Sequence, residues 1–311
     1  MLFSRRDLLR FGSTAFLCSA ALPVAKLAHE FMLPPPARRK ARYVEVHFTG
    51  KHAFARILDK AACEGWSSLP MGELVGRVGT FMLDTPYVNH TLDHSGDSEF
   101  CIVNLQELDC VTFVEMSLAL ARMIKSGESG ESDLAKQIEL LRYRHGECDG
   151  FCSRLHYLSD WFYDNGKKDL IKPYAKELPG AVKMEKEVSL MSSRPQQYLQ
   201  LRKHPEWIPE IRKDEKAISS RPIYYIPKSK VKSSEQYMET GDVVGITTEA
   251  KILDCAHTGL CYRDENGVLR FLHASFTHRR VYLDTELSEY LDKIHAFTGI
   301  MLARPLEPVD S

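Results

Sequence analysis

The chain lacks any apolar run long enough to cross a bilayer. Its most hydrophobic N-terminal stretch, after Arg10, is short and broken by Gly, Ser and Ala, whereas a spanning helix needs about 20 predominantly apolar residues. An excess of one charge is lacking as well. Lys and Arg total 41 against 42 Asp and Glu, for a formal net charge of -1, which argues against a dedicated nucleic-acid binder with its basic footprint. Repeats and low-complexity tracts are missing. A metal pattern is incomplete: Cys148, Cys152 and His156 stand at four-residue steps, but the second ligand pair usual for zinc has no counterpart. Neither a metal nor another cofactor is expected. What remains is an ordinary globular composition in 311 residues, enough for one large domain or two small ones with an ample core.

Cysteine is not scarce, and its setting depends on how the chain starts. Ser4-Arg5-Arg6-Asp7-Leu8-Leu9-Arg10 resembles a twin-arginine export signal, with a basic head before a short apolar stretch. Residues 1–28 are therefore assigned as a leader and 29–43, Pro-rich and basic, as a linker. Residues 44–311 form the working domain. The expected partner of the leader is the twin-arginine export machinery, and the expected location is the periplasm or another exported compartment, with no stable membrane span after processing. Removing Cys18 with the leader leaves Cys63, Cys101, Cys110, Cys148, Cys152, Cys255 and Cys261, an odd number. At least one thiol is then free. The other six either form up to three bridges or stay reduced, since twin-arginine substrates fold before export.

The domain reads as helices first and sheet second. Apolar residues recur at helical spacing through Phe54, Ile57, Leu58 and Ala61, and again through Leu74, Val75, Val78, Phe81 and Met82. A helix opens at Cys110 and runs to about Lys125, another spans 134–144, and helical spacing resumes over 151–165. Residues 167–237 have no clear period and read as an elaborated insertion with short helices. Then "GDVVGITTE" (241–249), "AHTGLCYRD" (256–264), "VLRFLHASF" (268–276), "RRVYLD" (279–284) and "GIMLARP" (299–305) are short β-rich runs separated by turns. The predicted class is α+β with an antiparallel sheet.

Two features carry chemistry. Cys110 follows Asp109 at a helix mouth, where free N–H groups and the positive end of the helix dipole favour thiolate over thiol. His257 and His273 lie on strands joined by "RDENGV" (263–268). Side chains alternate faces, so the two odd-numbered histidines share a face only if opposed residue numbers sum to an even value. A two-residue turn on Asn266-Gly267 opposes Glu265 to Val268 and separates them. A three-residue loop with Gly267 left-handed opposes Asp264 to Val268 and brings them together diagonally. A thiol hydrolase needs a base beside its cysteine and a polar group to orient that base, so the catalytic reading requires the three-residue loop.

Thr85-Pro86-Tyr87, Leu108-Asp109-Cys110-Val111-Thr112-Phe113-Val114, His257-Thr258-Gly259-Leu260 and Leu272-His273-Ala274-Ser275 follow the motif order of the NlpC-type, papain-like bacterial cell-wall cysteine hydrolases. More narrowly, with "TPYVNHTLD", "SRLHYLSDW", "GDVVGITT" and "TGIMLARP" added, the chain resembles the N-acetylmuramoyl-L-alanine amidase-like family over about residues 70–305. The resemblance implies a papain-like fold, with the nucleophile at a helix start packed on the sheet. It implies Cys110 as nucleophile, His257 as base and then acid, His273 as the group orienting it, and the Cys110 N–H as part of an oxyanion hole. Tyr87 would line the cleft. Val111 and Thr258 depart from the wider superfamily, where Ser and Val are usual, without removing a reacting group.

"SRLHYLSDW" has two readings. Arg154 offers a bidentate fork to a substrate carboxylate, and Tyr157 and Trp161, four apart on a helix, offer faces to a sugar ring. Alternatively Arg154 pairs with an internal acid and the aromatics are core. The expected function is an exported thiol amidase acting on peptidoglycan or muropeptides, cutting between N-acetylmuramic acid and L-alanine. The rivals are an endopeptidase cutting between D-glutamate and the diamino acid of the stem peptide, and a catalytically silent wall-binding protein.

Overall fold

The computed structural model describes residues 45–94, 96 and 98–308. The leader at 1–28 and the linker at 29–43 lie outside the described residues. The chain begins with β1 (Val46–Thr49), α1 (Lys51–Cys63), α2 (Met71–Phe81), β2 (Cys101–Asn104), α3 (Cys110–Lys125), α4 (Glu131–Arg142) and α5 (Leu158–Lys167). Next come β3 (Ile171–Pro173), β4 (Val182–Lys183), α6 (Leu190–Ser193), α7 (Leu199–Lys203), α8 (Ile208–Ser220), β5 (Tyr224–Pro227) and α9 (Lys228–Ser234). The last third holds β6 (Val243–Thr248), β7 (Cys255–Arg263), β8 (Leu269–Ser275), β9 (Arg280–Glu286), α10 (Leu287–Asp292) and β10 (Phe297–Pro305). Helices precede a large sheet, as an α+β class requires.

The sheet is antiparallel throughout, in the order β4-β5-β10-β6-β7-β8-β9, with β3 also paired to β10. The 167–237 segment is thus more than short helices, because β3 and β5 add to the sheet along β10. A separate parallel pair joins β1 to β2. Every residue of β6 is buried, as expected of a central strand covered on both faces.

α3 is the axis of the helical layer. Every residue from Thr112 to Ile124 is buried, as in a helix packed on all sides, and the polar groups it buries are partnered, Glu115 by Arg142 and Arg122 by Gln137. Its start is fixed by a reciprocal cap: Thr112 N donates to Asp109 Oδ1 at 2.8 Å, and Asp109 N donates to Thr112 Oγ1 at 2.9 Å. Phe113 packs with Leu260, Leu272 and Ala274 in the core that α2 and α3 share with the sheet. On the opposite face Cys261, Leu269 and Phe271 pack with Leu287 and Leu291 of α10. Even-numbered residues of β7 and β8 therefore face α3, and odd-numbered ones face α10. Burying each such Leu or Phe contributes about 1.5–3 kcal/mol.

Candidate active site

The β7–β8 turn decides where the histidines go. Asp264 N donates to Val268 O and Gly267 N to Asp264 O, both at 2.9 Å, and Gly267 is left-handed with φ 77°. This is the three-residue loop, with Leu260 opposed to Leu272 and Arg263 to Leu269. His257 and His273 share a face, and His257 Nε2 lies 2.7 Å from His273 Nδ1. β7–β8 pairing stops at Leu260–Leu272. Beyond it His257 pairs with Ile246 of β6 and His273 with Tyr282 of β9, so both imidazoles stand at the open end of the pair.

The rings are held by aromatic packing. Phe271 stacks on His273 with centroids 4.5 Å apart, and Tyr290 of α10 meets His273 at 5.0 Å. Burial, with His273 alongside, pushes His257 down to about 3, so it is a neutral imidazole. Burial also lowers His273, opposed by the carboxylate of Asp284. That carboxylate lies 3.5 Å from His273 Nε2 and is held below its ordinary range by this contact. Asp284 is a site residue that sequence reasoning missed. The available signal was alternation: it lies two residues beyond Tyr282, the strand partner of His273.

α3 packs on the other face, and its first residue, Cys110, reaches the same open end. The backbone N–H of Thr258, the residue after His257, is among the groups that favour the Cys110 thiolate, which places the thiol beside this strand. The thiol does not follow the expectation of a resting thiolate. Burial, with the Asp109 carboxylate adding, pushes it up to about 12, outweighing the N–H groups of Thr258, Cys110 and Val111. The physical reason is desolvation. In addition, the same helix mouth already hosts the capping carboxylate of Asp109. All seven cysteines among the described residues are free thiols.

Cys110 lines a cavity of about 300 Å³ with Tyr87, Asp93, Asp109, Arg154 and His156. Tyr87 is fixed by its N–H on Arg279 O at 3.0 Å and by its hydroxyl, which donates to Asn89 Oδ1 of the same loop at 2.5 Å. Burial, Cys110 and Asp109 push its phenol up to about 12. On the solvent side the Tyr87 ring meets Phe276 edge-on at 5.8 Å, and the Arg279 guanidinium lies 6.0 Å from Tyr87 and 5.4 Å from Phe276. Phe276 is 59% exposed.

The other residues singled out in the sequence stand differently. Arg154 lines the cavity, but its fork is closed on Glu99, with Nη2–Oε1 at 2.7 Å and Nε–Oε1 at 3.0 Å. Tyr157 and Trp161 are 4% and 2% exposed, and the Tyr157 hydroxyl donates to Glu215 at 2.6 Å. Nor do the two share a helix face, because Tyr157 is the N-cap of α5. The helical spacing over 151–165 is interrupted where Leu155 N bonds Arg142 O and Arg154 bridges Tyr143. Among the described residues, no group of three His, Cys, Asp or Glu side chains is arranged to hold a metal.

A family model described as AmiA-like, N-acetylmuramoyl-L-alanine amidase-like, matches residues 77–300. The crystal structure of an N-acetylmuramoyl-L-alanine amidase from Bacteroides uniformis is 33% identical, with a TM-score of 0.71 over 76% of this chain and 99% of that one. A Bacteroides fragilis protein provisionally described as a xylanase is 35% identical, with a TM-score of 0.68 over 73% of this chain and 99% of that one. A Legionella pneumophila protein at 20% identity shares the fold, with a TM-score of 0.60 over 83% of this chain and 97% of its own. Among curated proteins no relative matches.

Proposed function

Because the chain belongs to the N-acetylmuramoyl-L-alanine amidase-like family, we propose that it is an exported thiol amidase, cutting the amide between N-acetylmuramic acid and L-alanine in peptidoglycan or soluble muropeptides. The observation that carries the reading is the convergence at the open end of β7 and β8. There Cys110 lies at the mouth of α3 beside Thr258, and the neighbouring His257 is bonded to His273 at 2.7 Å. On this reading Cys110, His257 and His273 are catalytic, on a scaffold of the NlpC-type, papain-like kind. The export step rests on the twin-arginine pattern at residues 4–10 and on a substrate found in the wall.

Both reacting groups rest neutral, so the thiol proton passes to His257 as Sγ attacks the lactyl carbonyl, instead of being lost beforehand. Negative charge developing on the carbonyl oxygen is met by the Cys110 N–H at the positive end of α3, with the Tyr87 hydroxyl on the same cavity wall. His257 gives its proton to the departing L-alanine nitrogen, and the C–N bond breaks. The thioester left on Cys110 is then attacked by water, whose proton His257 accepts. Muramic acid leaves as a carboxylic acid and the thiol is restored.

With Tyr157, Trp161 and most of Tyr87 buried, Phe276, which meets Tyr87 edge-on, is the aromatic face offered to a sugar. A specific observation favours a second reading. Arg142 and Arg154 are each neutralised by a buried glutamate, at 2.7 Å in both pairs, and the Asp109 carboxylate is held by Thr112 and Thr91, which leaves the Asp93 carboxylate in the cavity. That carboxylate suits the free amine of an L-alanine, as an endopeptidase cutting after D-glutamate requires. A silent wall-binding protein is disfavoured by the free Cys110 thiol and its paired imidazoles.

Mass spectrometry of products from defined muropeptides, with wild type and Cys110→Ala, tests the choice. A stem peptide beginning with L-alanine, absent with the mutant, is the expected result. Release of a diamino-acid fragment from a free stem peptide would overturn it in favour of the endopeptidase.

A further inference from the structure

We propose that Asp284 is a positioning residue that sets the direction of the two-histidine relay, so that His257 Nδ1 is the bare nitrogen available to the Cys110 proton. This rests on the thiol-hydrolase reading above. His257 Nε2 and His273 Nδ1 are 2.7 Å apart, so one proton lies between them. Each neutral imidazole carries a single N–H, which leaves two arrangements.

In the first, His273 Nδ1–H donates to His257 Nε2. His273 Nε2 then leaves a lone pair 3.5 Å from Asp284 Oδ2, with no other hydrogen-bond partner, and His257 carries its proton on Nδ1, where it cannot act as a base. In the second, His273 Nε2–H faces the carboxylate, His273 Nδ1 accepts from His257 Nε2–H, and His257 Nδ1 is bare. An ionised Asp284 repels the first arrangement and stabilises the second.

The surroundings keep Asp284 ionised. Thr285 N donates to its Oδ1 at 2.7 Å, Lys293 Nζ lies at 3.5 Å and His278 Nε2 at 3.8 Å, and the residue is 8% exposed. The other groups packed on His273 are the rings of Phe271 and Tyr290, and the Tyr290 phenol is itself pushed above its usual range by burial. When His257 takes the Cys110 proton on Nδ1, its Nε2–H remains donated to His273. No second proton moves, and the imidazolium charge is stabilised by Asp284 through the neutral ring between them.

The test combines kinetics with imidazole 15N NMR on the mature protein, comparing wild type with Asp284→Asn and Asp284→Ala. The proposal expects His257 protonated on Nε2 and bare on Nδ1 in wild type, with the tautomers redistributed in Asp284→Ala. It also expects kcat on muropeptide to fall about 10- to 100-fold with little change in KM. The alkylation rate of Cys110 by iodoacetamide, which needs no natural substrate, should fall alongside. Asp284→Asn, nearly isosteric, guards against loss of fold and should give an intermediate kcat. A wild-type His257 protonated on Nδ1, or tautomers unchanged in a folded Asp284→Ala, would overturn the proposal. Wild-type tautomers as expected, but no muropeptide turnover, would sink the substrate assignment alone.

Discussion

Gly259, in the His257-Thr258-Gly259 motif, has a structural reason that an alanine substitution exposes. A Cβ built there would lie 2.7 Å from Phe271 Cε2 and Cζ and 2.7 Å from the Leu272 carbonyl oxygen. The carbonyl belongs to the strand and cannot step aside, so the Phe271 ring would have to move. That ring is the one stacked on His273 at 4.5 Å with 24° between planes. Overpacking of this kind costs about 1–3 kcal/mol, and here the displacement passes directly to the group orienting His257. Gly267→Ala is the control. Its Cβ would meet nothing within 4 Å, but φ is +77°, so the cost is backbone strain of about 1–2 kcal/mol. Urea unfolding should therefore show comparable losses for both variants. Turnover at a temperature where both are folded should fall at least about tenfold for Gly259→Ala, the equivalent of roughly 1.4 kcal/mol in the barrier, and little for Gly267→Ala. Near-wild-type turnover by Gly259→Ala, with stability within about 0.5 kcal/mol, would show that the Phe271 ring does not hold His273 in place.

Arg154→Ala should destabilise the protein by about 3–5 kcal/mol, because it strands the buried Glu99 carboxylate. Adding Glu99→Gln should recover part of that in thermal melts, whereas a fully stable Arg154→Ala with raised KM would return Arg154 to a substrate-clamping role. Acid stability follows from imidazoles held neutral: His156 and His257 are both pushed from 6.5 down to about 3 by burial. In that window the unfolded chain binds more protons than the folded one, so stability should fall as pH drops from about 6.5 towards 3. A flat urea midpoint over this range would contradict the buried-neutral assignment. Phe276→Ala should raise KM for a muramoyl-peptide several-fold, as expected from losing one aromatic contact of about 0.5–1.5 kcal/mol. It should leave a D-lactoyl-peptide lacking the sugar unaffected, and equal losses on both substrates would assign Phe276 to holding Tyr87 instead.

What could be read from the sequence was local. Alternation narrowed the β7–β8 pairing to two turns and showed which one would let His257 and His273 meet, but the left-handed Gly267 that selects it is a feature of the folded chain. The start of α3 was legible in Asp109 and Cys110 because capping chemistry is confined to one turn. What could not be read was set by distant partners. The helical spacing over 151–165 was misleading because Arg154 and Leu155 bond to Tyr143 and Arg142, which leaves Tyr157 as a cap and buries Trp161. The dipole beside Cys110 was visible in the sequence, but the burial that keeps the thiol protonated depends on a sheet more than a hundred residues later. β3 and β5 were hidden because both join the sheet along β10, about 70 to 130 residues later and beyond the reach of any local pattern. Asp284 needed the register of β8 with β9, which includes an irregularity between Arg270 and Leu272 that no periodicity announces.

If Cys110 is the nucleophile, it carries the acyl group of the substrate during turnover. Intact-protein mass spectrometry after rapid acid quenching of enzyme mixed with muropeptide measures this directly. The expected result is a mass increment equal to an N-acetylmuramoyl acyl group, mapped to Cys110 by peptide digestion and absent from Cys110→Ala. An increment equal to an L-alanyl-D-glutamyl group would contradict the bond assignment, and turnover without any adduct on Cys110, under conditions where deacylation is slowed, would contradict thiol catalysis itself.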